Sequence, residues 1–285
     1  MINPIITRAN EILNSILDSL EQSLSADILC INGPINSELV TMSREAIETR
    51  YNSYGLRNKL CVMLTTNGGD VTSTERLVTI FRHYYNEVEF IVPDYAYSAG
   101  TILCMSGDRI WMNYNSVLGP IDPQVLNKEN RYVPAMGYLE KIKELLKKAK
   151  KNTISQAEFL ILKDFDLAEI SQYEQATDLT IELLNKWLVK YKFKNWDIHS
   201  SNGTIVTKEE KEQRAKKIAK ELGNYKRWKS HGRPLTIETL NSLKLLIDDF
   251  DQCSFGKEIV EFHNILVDYM SLQNANAMIY MRSTQ

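Results

Sequence analysis

The strongest constraint on this chain is an alternation, between about residues 26 and 125, of short apolar runs with stretches of helical period. Residues 26–31 and 60–64 read as strands. The second of these, Leu60-Cys61-Val62-Met63-Leu64, is apolar at every position, as a strand covered on both faces requires. Helical spacing follows at 38–51 and 71–85, strands are expected at 88–92 and 109–112, and a helix is expected to start near Ser98. Strand, helix and strand repeated in this order predict a layered α/β sheet with right-handed crossovers.

The flanks are helical. Residues 1–24 have Ile5, Ile6, Ile12, Leu13, Ile16, Leu17 and Leu20 on one side with polar residues between them, an amphipathic helix. It lacks a basic start, a long apolar run and a small-residue cleavage site, so a signal peptide is not expected. No stretch reaches the roughly 18 apolar residues of a spanning helix, and a cytoplasmic protein without a transmembrane segment is the expectation. Beyond Pro134, helical spacing runs over 136–151, 155–191, 208–222, 237–250 and 257–272, and a closing strand is expected at 277–281. The expected layout is an N-terminal amphipathic helix (1–25), an α/β core (26–134) and a largely helical extension (135–285) packing on that core and forming oligomer contacts. The boundary falls in 127–134.

Thirty-four basic and 36 acidic residues leave a net charge of -2, so no global field points to nucleic acid. Glu140 and Glu144 interrupt the Lys-rich run that follows, which reads as a solvated face. Cys30, Cys61, Cys104 and Cys253 are scattered without a Cys-x-x-Cys pair, and no His cluster has metal spacing. Reduced core thiols are expected, and neither disulfides nor a metal.

Three segments carry the chemistry. In Leu64-Thr65-Thr66-Asn67-Gly68-Gly69-Asp70 a buried strand ends in a Gly pair that runs into a helix. Glycines permit positive φ and close approach, so the amides of Gly68 and Gly69 can act as paired donors, the requirement of an oxyanion hole. A tight turn capped by Asn67 or Asp70 explains the same residues. In Pro93-Asp94-Tyr95-Ala96-Tyr97-Ser98-Ala99-Gly100-Thr101 a second strand passes into an apolar helix. Ser98 is flanked by small residues at a helix N-terminus, where unpaired amides favour an anionic oxygen; a plain N-cap is the alternative. An acyl-transfer site needs both a nucleophile and nearby donors, and the two segments close neighbouring strands on one sheet edge. In Leu118-Gly119-Pro120-Ile121-Asp122-Pro123-Gln124 the prolines stiffen a loop whose Asp122 sits in apolar surroundings, as an Asx turn or as part of a site.

Over roughly residues 60–125 these ordered motifs resemble the serine dehydrogenase proteinase family, a branch related to signal peptide peptidase A and more distantly to Clp protease. The resemblance implies a ClpP/crotonase-like fold of repeated strand-strand-helix units, with a mostly helical C-terminal half. It implies a cofactor-free serine peptidase acting on peptide or protein substrates, and assembly into homo-oligomers. It also implies Ser98 as nucleophile and the amides of Gly68, Gly69 and Ala99 as oxyanion donors.

The general base is less directly marked. A Lys would have to be desolvated, and Lys163, preceded by Leu160-Ile161-Leu162, is the best placed of the helical lysines. His231 lies in Trp228-Lys229-Ser230-His231-Gly232-Arg233-Pro234-Leu235, an irregular segment similar to one in this proteinase branch. It gives a triad of Ser98, His231 and Asp122, with Lys163 as the alternative base. Two other functions share parts of the pattern: an acyl-coenzyme A hydratase or isomerase, which Ala96-Tyr97-Ser98-Ala99-Gly100 opposes, and a non-catalytic peptide-binding or assembly module.

Overall fold

The computed structural model describes residues 4–126, 131–200 and 203–282. The chain forms, in order, α1 (Pro4–Leu24), β1 (Asp27–Asn32), α2 (Ser37–Tyr54), β2 (Lys59–Thr65), α3 (Val71–Tyr84), β3 (Glu87–Ile91), β4 (Tyr95–Ala96), α4 (Ala99–Cys104), β5 (Arg109–Met112), β6 (Val117–Leu118), β7 (Gln124–Leu126) and β8 (Tyr132–Pro134). There follow α5 (Ala135–Lys150), α6 (Gln156–Lys163), α7 (Leu167–Trp187), α8 (Lys208–Leu222), α9 (Tyr225–Trp228), α10 (Ile237–Ser242), β9 (Asp248–Asp249), α11 (Gly256–Leu272) and β10 (Met278–Met281).

The main sheet has the order β10-β1-β2-β3-β5-β9, parallel throughout except for β10, which runs antiparallel to β1. Alternating side chains fill both faces. Leu29, Leu60, Val62, Leu64, Phe90 and Ile110 join the core that includes residues of α2, α3 and α4, while Ile28, Cys30, Cys61, Met63 and Trp111 join the core beneath α1 and α11. The first of these cores continues through Leu184, Trp187 and Ile218 of α7 and α8. Both outer strands of the sheet, β9 and β10, come from the second half of the chain.

Helix starts follow their caps. Asp70 accepts from Thr72 N–H and Ser73 N–H at the head of α3, and Thr207 with Glu210 forms a capping box at the head of α8. Two expected helices are shorter than their spacing suggests. The run over 155–191 breaks between α6 and α7, where the Asp166 side chain accepts from Ala168 N–H and starts a new helix. The run over 237–250 stops at Ser242; Lys244 takes a left-handed φ of 63°, and Asp248–Asp249 then pairs with β5 as an edge strand. Residues 1–3 of the expected first helix and 127–130 of the expected boundary lie outside the described residues.

All four cysteines are free, with Cys30, Cys61 and Cys104 buried. Burial pushes these three thiols well above the ordinary range, so they are poor nucleophiles at neutral pH. Among the described residues no helix is long and apolar enough to cross a membrane.

Candidate active site

The bonding of Ile35 fixes where the glycine amides point. Ile35 N–H donates to Gly68 O at 2.8 Å, and Asp70 N–H donates to Ile35 O at 2.8 Å. In such a parallel bridge Gly69 faces its own N–H away from Ile35. Both glycines are required. Gly68 has φ 103° and Gly69 φ 147°, and a Cβ on Gly69 would overlap the Ile35 carbonyl oxygen. A Cβ on Gly68 would stand 2.8 Å from Ser98 Cβ and 3.2 Å from Ala99 N, so the bare backbone lies directly against the serine turn.

That turn is bonded to the end of β2. Thr66 N–H donates to Tyr95 O at 3.0 Å and Tyr97 N–H donates to Thr66 O at 2.9 Å. Ser98 follows with φ 53° and ψ -116°, a conformation that L-residues avoid and that costs about 1–3 kcal/mol. It precedes α4 in the N-cap position, yet its side chain makes no capping bond, and its hydroxyl has no hydrogen bond to any described residue. A plain cap has extended backbone and a bonded oxygen, so capping does not explain this serine. The amide of Ala99, the first of the helix, is unpaired among the described residues, as is that of Gly69.

Gly68 departs from expectation. Its N–H donates to Thr66 Oγ1 at 3.0 Å, so it is not free to bind an anionic oxygen. The available donors are Gly69 and Ala99. Thr66 carried no role in the sequence, because its claim on the Gly68 amide depends on a side-chain rotamer.

The loop bearing Asp122 is stitched to the serine turn through a buried threonine. Thr101 Oγ1 accepts from Gly119 N–H at 2.9 Å and lies within donating distance of Ala96 O, at 2.8 Å, and Gly119 O, at 2.9 Å. Asp122 is buried, and its carboxylate forms no Asx turn among the described residues. Oδ1 pairs with His231 Nδ1 at 3.0 Å, while Oδ2 accepts from Gln124 Nε2 at 2.7 Å. The His231 segment is bound to β6 by Leu118 N–H to Leu235 O, 3.0 Å, and Leu235 N–H to Leu118 O, 2.9 Å. Trp228 anchors the other end, donating from Nε1 to Glu221 O at 2.8 Å. The structure thus brings His231 and Asp122 together from 109 residues apart, with the imidazole 27% exposed. Ser98 Oγ and His231 Nε2 are not hydrogen-bonded to each other.

Lys163 does not meet the requirement for desolvation: it is exposed at the end of α6, a helix with no buried residue. The lysine that burial does affect is Lys192, in the wide π-helical turn after α7. Its pKa is pushed down to about 8 by desolvation, which Asp248, Glu89 and Asp108 only partly oppose. It neighbours Cys104 at the far end of α4 from Ser98, which gives it no part in acylation. No group of three metal-ligating side chains gathers among the described residues.

A family model described as ClpP-like SDH-type serine proteinase matches residues 57–205, just over half of the chain. Ser98, Gly69, Ala99 and Asp122 lie inside this stretch and His231 outside it. The chain is also similar to two proteins of Methanocaldococcus jannaschii. Uncharacterized protein MJ1495 is 28% identical over 187 residues, which cover 66% of this chain and 51% of the relative. Uncharacterized protein MJ0137 is 38% identical over 64 residues, 22% of each. The chain therefore spans about half the length of the first of these relatives and less of the second.

Proposed function

Since the chain belongs to the ClpP-like SDH-type serine proteinase family, we propose that it hydrolyses peptide bonds through an acyl-enzyme on Ser98. The observation that carries this reading is a strained, unbonded Ser98 hydroxyl beside the free amides of Gly69 and Ala99. In the proposed reaction Ser98 Oγ attacks the scissile carbonyl carbon as its proton passes to His231 Nε2. The carbonyl oxygen becomes an oxyanion held by the Gly69 and Ala99 N–H groups. His231 then protonates the departing amine, and water repeats the sequence to release the acid and restore Ser98. Asp122 fixes the imidazole with Nδ1 protonated, and Gln124 in turn fixes Asp122. The reaction requires Ser98 Oγ and His231 Nε2 to come within hydrogen-bond reach, a contact that sites of this kind can complete on binding substrate.

The strand-strand-helix repeat is supported by the bridges Ile35–Gly69 and Thr66–Ala96, which extend the ends of β1 and β2 before their helices. Homo-oligomerisation is supported by α6, where Phe159, Leu160 and Ile161 are each more than half exposed with Leu167 close by in sequence. Leu160→Glu should lower the mass measured by light scattering if α6 joins copies.

Hydrolysis of fluorescence-quenched peptide libraries tests the activity. Cleavage by the native chain and none by Ser98→Ala is expected. Equal cleavage by both proteins would remove the assignment.

A further inference from the structure

The pairing of β4 with β6 is continued by a side chain. Val117 N–H donates to Asp94 O at 2.8 Å, and Tyr95 and Ala96 stand opposite Val117 and Leu118 in parallel register. The next bond of such a ladder would run from Gly119 N–H to Ala96 O. A hydroxyl stands in its place. Gly119 N–H donates to Thr101 Oγ1 at 2.9 Å, and the single proton of that hydroxyl has Ala96 O at 2.8 Å and Gly119 O at 2.9 Å as acceptors.

Thr101 is therefore a link inserted between the two strands, supplied by the helix that Ser98 precedes. It is fully buried, so bulk water does not compete for its bonds. Ser106 makes the contrast. Its hydroxyl is also buried, past the other end of α4, but it spends its bond locally on Leu103 O at 2.7 Å.

The inserted hydroxyl fixes where the chain leaves β6 for Pro120, Ile121 and Asp122. A Cβ on Gly119 would stand 2.5 Å from Tyr97 Cδ1 and 3.2 Å from Tyr97 Cα, so this exit lies against the residue before Ser98. The His231 loop hangs from the same strand, through the Leu118–Leu235 pair, and its imidazole meets Asp122. Both supports of His231 on residues 117–122 thus reach the serine turn through β4 and through Thr101.

We propose that Thr101 is a positioning residue for acylation: its hydroxyl sets the exit of the Asp122 loop from the serine turn and, through Asp122, the place of His231 relative to Ser98. This role rests on the reading of Ser98 as nucleophile and gives Thr101 no contact with substrate.

Kinetics of Ser98 labelling by a fluorophosphonate, resolved into limiting rate and half-saturating concentration, test the role. Thr101→Val keeps the shape without the hydroxyl and should lower the limiting rate about 10²-fold, as small misplacement of a catalytic group does, with half-saturation unchanged. Thr101→Ala leaves room for Gly119 N–H to close directly on Ala96 O; it should fold and lose rate in the same way. Thr101→Ser and Ser106→Ala should label at the native rate. In Asp122→Asn protein, adding Thr101→Val should cost nothing further, because its route to His231 is already cut. No loss in Thr101→Val and Thr101→Ala, the same loss in Ser106→Ala, or an undiminished loss in the Asp122→Asn background would each overturn the proposal. Hydrogen exchange read by mass spectrometry supplies a measurement that does not need Ser98 to react. Thr101→Val, and not Thr101→Ser, should speed exchange over 117–124 and 228–235 while β2 and β3 exchange as in the native chain; faster exchange confined to α4 would overturn the proposal. That exchange pattern in a chain whose Ser98 takes no label would instead remove the acyl-enzyme reading.

Discussion

The serine turn and the histidine loop are built by different means. Around Ser98 the parts are main chain: two glycines pressed against Ile35 and Ser98, an unpaired helix-head amide, and Thr66 bonding both ways to the turn. Around His231 the part that matters is one side chain, held by Asp122 on a loop tied by the Leu118–Leu235 backbone pair at one end and by Trp228 at the other. Main-chain geometry cannot shift without breaking the packing beneath it, whereas a partly exposed loop can. The oxyanion donors are therefore preset, and the base is the adjustable element.

The largest effect is expected at the base. His231→Gln should slow acylation of Ser98 by a fluorophosphonate by about 10²–10⁴-fold, as loss of a general base does, with little change in unfolding free energy. Lys163→Met should leave the rate unchanged. The reverse pattern would move the base to a residue the structure shows exposed.

The next largest effect lies in the serine turn. Gly69→Ala must accommodate both φ 147° and overlap with Ile35 O, and should cost about 3 kcal/mol or more in urea unfolding. Gly232→Ala, beside His231, meets nothing closer than Ser230 Oγ at 4.0 Å and should stay within about 0.5 kcal/mol. Similar costs at both positions would erase the distinction between a rigid turn and an adjustable loop.

Much of the serine turn was legible because it depends on residue types that have few other uses: a Gly pair at a strand end, and Ser-Ala-Gly at a helix start. The Asp122–His231 pairing rested on the resemblance of the segment around His231 to one in this proteinase branch, since a contact across 109 residues leaves no local pattern. Strands β4 and β6 have two residues each, too few for a period of two to show. Strand β9 was hidden because Leu245, Leu246, Ile247 and Phe250 continue the helical spacing of α10 after the backbone has turned at Lys244. Lys192 falls just past the helical spacing of 155–191, and its desolvation comes from tertiary packing, which leaves no mark in the sequence.

Lys192, in the second half of the chain, is desolvated by its packing. Its folded pKa of about 8 lies below the ordinary lysine value of 10.5, so the unfolded chain binds more protons between these values and stability rises with pH across that window. Below about pH 7 the charge is buried at full cost. Lys192→Met should add about 2 kcal/mol at pH 7 and flatten the rise between pH 8 and 10, read as the difference from the native chain. The smallest effect expected is at the nucleophile itself. Ser98→Gly should relieve the backbone strain and gain about 1 kcal/mol while abolishing labelling.

Peptide mapping by mass spectrometry after exposure to a fluorophosphonate tests the nucleophile most directly. A single adduct on Ser98, absent from Ser98→Ala and strongly reduced in Gly69→Ala protein that remains folded, is the predicted result. An unmodified Ser98, or an adduct confined to another serine, would contradict it.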